Sequence, residues 1–386
     1  MFTAAASGMR SPAWPIDCDV RGHSGKQEKK GRPLRKPPHA SLVTCCLRAA
    51  LALVAIAFAP LALAVDTSCI PVTSAYVENP RFGNIADTEL YQITKLAAMR
   101  FQLFFGRCIT IDPPRTLDIS AVFDNFTPEL KKLANGLILD PPTSASIAEL
   151  SHLMAAALKK EPSTLAEQIA YVNHSGAFRV PPDTSVDDLA TRLVRYQLAE
   201  MEVFKSTPLR DGKAVIDGTP YNQFMYWVLL PKTRLKDDLY LTNQPIVSME
   251  LGSPSIHSAL RGGISNGVTS PCAHCDHGTA SIVSLYAIYA TDAAVRKIRT
   301  EAAYSSAERR LFAADIIAHE LGHQMFQLGH PFGLDACVMD PVEVLNFRER
   351  SKGLKAHACG EDRSPALKPG AAGFPPDIAV PYTLPK

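Results

Sequence analysis

The chain has 386 residues, 46% of them hydrophobic, with 40 Lys+Arg against 38 Asp+Glu. That is enough apolar content for one large core or two modest ones. The near-balanced charge, with no basic patch, argues against a nucleic-acid partner.

Residues 1–64 read as a processing segment. Positions 20–40 are basic and rich in Gly and Pro, Arg48 precedes an apolar run from Ala49 to Ala59, and Ala62-Leu63-Ala64 follows Pro60. That is the layout of a secretory signal peptide with an A-x-A cleavage site, and the run is short for a bilayer span. Secretion or periplasmic export is expected, with no stable membrane span after cleavage. The remainder holds 31 basic and 35 acidic residues, a net charge of about −4 with His neutral. Six cysteines remain: Cys69, Cys108, Cys272, Cys275, Cys337 and Cys359. An even count in an exported chain favours disulfides. Their grouping pairs Cys69 with Cys108 and leaves the later four among themselves.

Residues 65–85 read as an extended lead-in. Leu90, Ile93, Leu96, Met99 and Phe101 fall at helical spacing over 88–105, Gly106 stops that helix, and Cys108–Ile111 reads as a strand ended by Pro113-Pro114. Helix, turn and strand make an α/β unit. Four helical patterns follow, over 130–139, 147–159, 165–172 and 186–204, so 128–205 reads as a helical insertion. Strands are expected at 223–230, 238–241 and 246–251, and the best strand pattern spans Ala280–Ala290, whose 281–290 stretch offers itself for β-addition of an extended peptide. The loop between them, 254–277, holds Cys272-x-x-Cys275. Helices are expected at 296–303, 307–326 and near 342–350, followed by a Pro-rich tail.

The 307–326 helix carries His319-Glu320-Leu321-Gly322-His323, an HExxH sequence. Positions i and i+4 lie on one helical face, so both imidazoles can close on one Zn²⁺ while Glu320 stands beside a water as its base. A catalytic zinc needs a third protein ligand and an open position. His330 follows Gly329, which can end the helix and turn the chain back. Glu343, twenty residues after His323, is a rival with gluzincin spacing, and Asp335 and Asp340 are further oxygen candidates.

From His319 to Asp340 the sequence resembles the metzincin clan of zinc peptidases, and archaemetzincins most. The carriers are HExxH, the later His330, and Cys337-Val338-Met339, where the family has a Met-turn with Cys two residues earlier. Weaker likeness lies at Phe104-Phe105-Gly106 and Asp238-Leu239-Tyr240. Departures are Phe326 where the family has Gly, a third His one residue late, Pro331 for a Cys, Pro341 where some relatives place Tyr, and Cys359-Gly-Glu-Asp362 for a C-x-x-C.

The resemblance implies an α/β fold: a mixed, mostly parallel twisted sheet with an active-site helix, divided as 65–127 and 206–365 around the helical insertion 128–205, with 366–386 as tail. It implies one catalytic zinc on His319, His323 and His330, Glu320 as general base, Met339 beneath the site, and a peptide or protein substrate. It leaves Cys272, Cys275, Cys337 and Cys359 as disulfides or, less favoured, a second structural zinc. Two alternatives stand beside it: a gluzincin-type peptidase using Glu343, and an exported zinc-binding protein without turnover. The mature N-terminus is expected at or near Val65. N-terminal sequencing of exported protein checks this, and a start within 1–48 would reject the cleavage.

Overall fold

The computed structural model describes residues 69–359, apart from 136–143, 162, 177, 231–232, 234, 250–259, 262, 267–279, 300, 327, 329, 331–334, 341 and 343–344. Residues 1–64 with their expected cleavage site, Cys272, Cys275, Gly329, Glu343 and the Pro-rich tail therefore lie outside the described residues. Within them, strands β1 (Ile70–Val72) and β2 (Ser74–Glu78) precede helix α1 (Asp87–Phe105), β3 (Ile109–Ile111) and β4 (Arg115–Asp118). Helices α2 (Ile119–Asp124), α3 (Pro128–Asn135), α4 (Ser144–Leu158), α5 (Leu165–Ser175), α6 (Val186–Ser206) and α7 (Phe224–Val228) follow. The chain then forms β5 (Leu239–Thr242), β6 (Ile246–Val247), β7 (Leu260–Arg261), β8 (Gly263–Asn266) and β9 (Ala280–Ser284). It closes with α8 (Tyr286–Tyr289), α9 (Ala293–Ile298), α10 (Ser306–Phe326) and α11 (Phe347–Gly353).

The main sheet has the order β4-β2-β5-β9-β8. The first four strands are parallel, and β8 runs antiparallel along β9. This is a mixed α/β architecture, as the sequence pattern implies. Side chains alternate across the sheet. Tyr76, Leu239, Leu241 and Val283 enter one core with α1 and α10. Ala75, Val77, Tyr240, Ala280 and Ile282 enter another with α2 and α7. Both faces are covered, so β2, β5 and β9 read as continuous apolar runs, which is what a parallel sheet requires. Helices α4, α5 and α6 pack around a third cluster that includes Met154, Leu158, Val172, Leu189 and Leu193.

Gly106 ends α1 in the left-handed region, at φ 69°, and its N–H donates to Gln102 O at 2.8 Å. The chain then doubles back, and Cys69–Cys108 links the ends of β1 and β3, which pair in parallel. Cys69 is thereby committed to a disulfide and is no thiolate for a metal. β2, from the lead-in segment, is an inner strand of the sheet.

Four local expectations differ from the structure. After a 3-10 turn at Pro220–Asn222, residues 223–230 carry α7 rather than a strand. An unbroken apolar run has no period to separate helix from strand, and here Tyr226, Trp227, Leu229 and Leu230 are all buried. The Trp227 indole N–H donates to Tyr221 O at 2.9 Å, a bond that the short helical turn permits. The 280–290 strand stops at Ser284, where the backbone turns into α8. β9 is flanked by β5 and β8, so it has no free edge for an added strand. Among the described residues, the outer strand on that side is β8. Helix α9 starts earlier than expected because Asp292 caps it, accepting from Ala294 N and Val295 N. Within 246–249, only Ile246–Val247 form a strand, β6.

The start of α10 is tied to α11. Glu308 accepts from Ser305 N at 2.8 Å and from Arg348 Nε at 2.6 Å. The Arg348 hydrogen bond, with help from Ser305, holds the Glu308 carboxyl at about 2, below its ordinary 4.5. A depressed acid contributes stability that is complete above the unfolded value and is lost as pH falls through the folded one. Glu308→Gln should therefore flatten the pH dependence of thermal stability between about pH 4.5 and 2. Parallel melting profiles for variant and wild type would show that the pair contributes nothing.

Candidate metal centre

Helix α10 is unusual in having every residue from Phe312 to Phe326 buried. It is held on one side by α1, on another by β8 and β9, and beneath by the turn at 337–340. Along one of its faces, at successive four-residue steps, stand Asp315, His319 and His323.

The two imidazoles are fixed from behind. The Nδ1 of His319 lies 2.7 Å from Val338 O, and the Nδ1 of His323 is bonded to Leu328 O. A carbonyl can only accept, so each ring carries its proton on Nδ1 and turns the Nε2 lone pair inward. α10 ends at Phe326, and the returning chain brings His330 to the same point. The three Nε2 atoms stand 3.0, 2.9 and 3.2 Å apart. Two nitrogens bound to one tetrahedral Zn²⁺ at about 2.0–2.1 Å would be roughly 3.3 Å apart, so the donor set and its spacing fit that ion. His319, His323 and His330 together form a group able to hold a metal ion.

Glu320 is buried, with Oε1 4.0 Å from His319 Nε2. Its backbone carbonyl lies 3.1 Å from Ser281 Oγ, which also reaches Gln324 Oε1 at 2.7 Å. The first turn of β9 thus locks the axial position of the helix segment that carries the histidines.

Met339 is wholly buried beneath the helix. The contact is close at Gly322: a Cβ there would lie 2.5 Å from Met339 Sδ and 2.8 Å from Phe105 Cζ. Glycine is required here for space, and it lets the helix settle onto the turn. Phe326, one turn on, stacks at 5.5 Å on Phe101 and meets Phe105 edge-on at 5.1 Å. Cys337 is joined to Cys359, and Asp340 N donates to Cys337 O at 3.0 Å. That disulfide removes Cys337 and Cys359 from a four-cysteine zinc site. Cys272 and Cys275 lie outside the described residues.

Neither described oxygen candidate joins the group. Asp335 is exposed, 3.7 Å from His174, and Asp340 is not among the clustered donors. Four contributors were not anticipated from sequence. Asp315, buried behind the site, accepts from Arg100 Nε at 2.6 Å and Ser351 Oγ at 2.9 Å. Burial raises its carboxyl above the usual range, while Arg100 pulls the other way. Its position four residues before His319 was a readable signal. Ser281, Arg100 and Arg350 come from other elements and gave none. A cleft of about 1010 Å³ opens at the carboxyl ends of β2, β5 and β9, lined by Arg81, Asn243 and Tyr286 among others. It contains none of the three histidines, and Arg81 is engaged by Asp211 and Asp217. The metal-binding donors thus stand apart from this cleft.

Gly322→Ala should cost about 1–3 kcal/mol through overpacking against Met339 and Phe105. It should also weaken metal retention, because either the helix or the turn must shift. Urea melting and metal analysis of the dialysed protein check both, and a variant as stable and as metal-loaded as wild type would refute the close contact. Comparison of the chain with family models, curated proteins and solved structures finds no match, which leaves the histidine cluster as the ground for any functional reading.

Proposed function

We propose that the protein is a zinc-dependent metallopeptidase of metzincin type, exported to an oxidising compartment. One observation carries the reading: three inward-facing Nε2 atoms within 3.2 Å of one another, with the Glu320 carboxylate at their side. The residue order HExxH, His330 and a buried Met339 under the helix agrees with that clan. The two disulfides support export.

In this reading His319, His323 and His330 hold the ion. Zinc at such a site supplies a Lewis acid that polarises a carbonyl and makes a water acidic near neutral pH. Glu320 is not a ligand. Its buried carboxylate accepts the proton of the attacking water and returns it to the leaving amine. His319 and His323 keep their Nδ1 protons because these N–H groups donate to the Val338 and Leu328 carbonyls, so both rings remain neutral donors through the cycle. An extended peptide has one edge near this helix to lie on, the outer edge of β8, which among the described residues pairs only with β9. Recognition there would be largely main-chain.

A variant series separates this from its rivals. His319→Ala, His323→Ala and His330→Ala should each lose zinc and activity together. Glu320→Ala should retain one zinc per chain and lose peptide hydrolysis. Glu343→Ala should leave zinc content near wild type. Zinc loss in the Glu343 variant with retention in the His330 variant would move the protein to the gluzincin arrangement. Wild-type zinc content with no hydrolysis of any peptide library, and no change on Glu320→Ala, would leave a binding protein.

A further inference from the structure

Behind His319 stands a residue that the zinc reading does not use. Arg350 projects from α11 toward the turn at 337–340. Its Nη2 donates to Val338 O at 2.5 Å and to Asp340 O at 2.9 Å, and its Nε donates to Asp340 O at 3.2 Å. Val338 O is the same atom that accepts the His319 Nδ1 proton. One carbonyl therefore joins a guanidinium on one side to a metal-binding imidazole on the other. A half-buried guanidinium gives up part of its hydration, and the charges of Asp315 and Asp340 offset that cost. Asp315 is itself fixed by Arg100 from α1 and by Ser351, the neighbour of Arg350.

We propose that Arg350 is a positioning residue for the metal centre: its fork clamps the Val338 and Asp340 carbonyls, and so fixes the direction in which Val338 O meets His319. The planar, doubly donating group matters because it bridges two carbonyls at once, which a single ammonium does less well. With the carbonyl clamped, the His319 ring has one orientation and its Nε2 points at the other two nitrogens. Without the clamp, the turn keeps its disulfide but the carbonyl is free to rotate, and the imidazole with it. Outer partners of this kind typically contribute about 10–100-fold to metal affinity.

This rests on the zinc reading, and the test separates the two. The Kd for Co²⁺ and for Zn²⁺ is measured by chelator competition on full-length exported protein, together with the visible absorption of the cobalt form. Arg350→Met should raise both Kd values by about 10–100-fold and alter the cobalt spectrum. Arg350→Lys should fall between Met and wild type. Arg348→Met serves as control: it removes the ion pair of the same helix to Glu308, and Arg348 bonds to Glu308, Glu301 and Ala303 rather than to the 337–340 turn, so the variant should lower stability and leave Kd and spectrum unchanged. If Arg350→Met does not fold, the Lys variant against the Arg348 control carries the comparison. Wild-type Kd and spectrum in a folded Arg350 variant, or equal losses in the Arg348 and Arg350 variants, overturn the proposal while the zinc reading stands. A wild-type protein that takes up no equivalent of either metal overturns both.

Discussion

Three imidazole Nε2 atoms stand 2.9–3.2 Å apart at one point, a spacing that depends on how the rings are held from behind. The Val338 and Leu328 carbonyls hold two of the rings by their far nitrogens. Rotating either ring away would leave its buried N–H unbonded, at about 1–3 kcal/mol. The cluster is thus preorganised by groups that are not themselves donors to the ion, and the binding energy of a metal need not be spent on ordering them.

That rigidity is assembled from segments far apart in the chain. Ser281 at the start of β9 grips the helix at Glu320 and Gln324. Phe101 and Phe105 of α1 take Phe326. The turn at 337–340 rises under Gly322, and α11 closes it through Arg350 and Ser351. Removing the Phe326 ring would cost about 3–5 kcal/mol by the usual measure for a buried aromatic, because three rings share one cluster. The two disulfides fasten the outer parts of the same assembly: Cys69–Cys108 near the end of α1, and Cys337–Cys359 at the turn itself.

What could be read in advance follows from range. HExxH on a helix, Gly106 as a stop and Cys69 with Cys108 are all settled by local spacing or grouping. The α/β alternation was visible because buried parallel strands are nearly uniform in hydrophobicity. The same uniformity hid the ends of β9 and turned α7 into an expected strand: with no alternation, the boundary depends on tertiary partners such as Gln244, whose carbonyl takes the Ser284 hydroxyl. Arg350 was illegible for a different reason. Its meaning lies in two backbone carbonyls ten and twelve residues earlier, and no residue type at 338 or 340 announces that their carbonyls will need a clamp.

The spacing that departs from the metzincin pattern has a physical explanation in the same contacts. Phe326 stands where that pattern has a glycine three residues after the second histidine. A glycine there serves to break the helix early. Here the aromatic side chain is docked between Phe101 and Phe105, so the helix is held as far as residue 326. The chain must then reverse from a point further along the axis, and His330 must travel back further to reach the histidine pair. One additional residue between the second and third histidines supplies that reach. Phe326 and the late His330 are in this sense a single adjustment. Restoring a glycine at 326 alone would remove the docked ring without shortening the return, so neither change is expected to be neutral by itself.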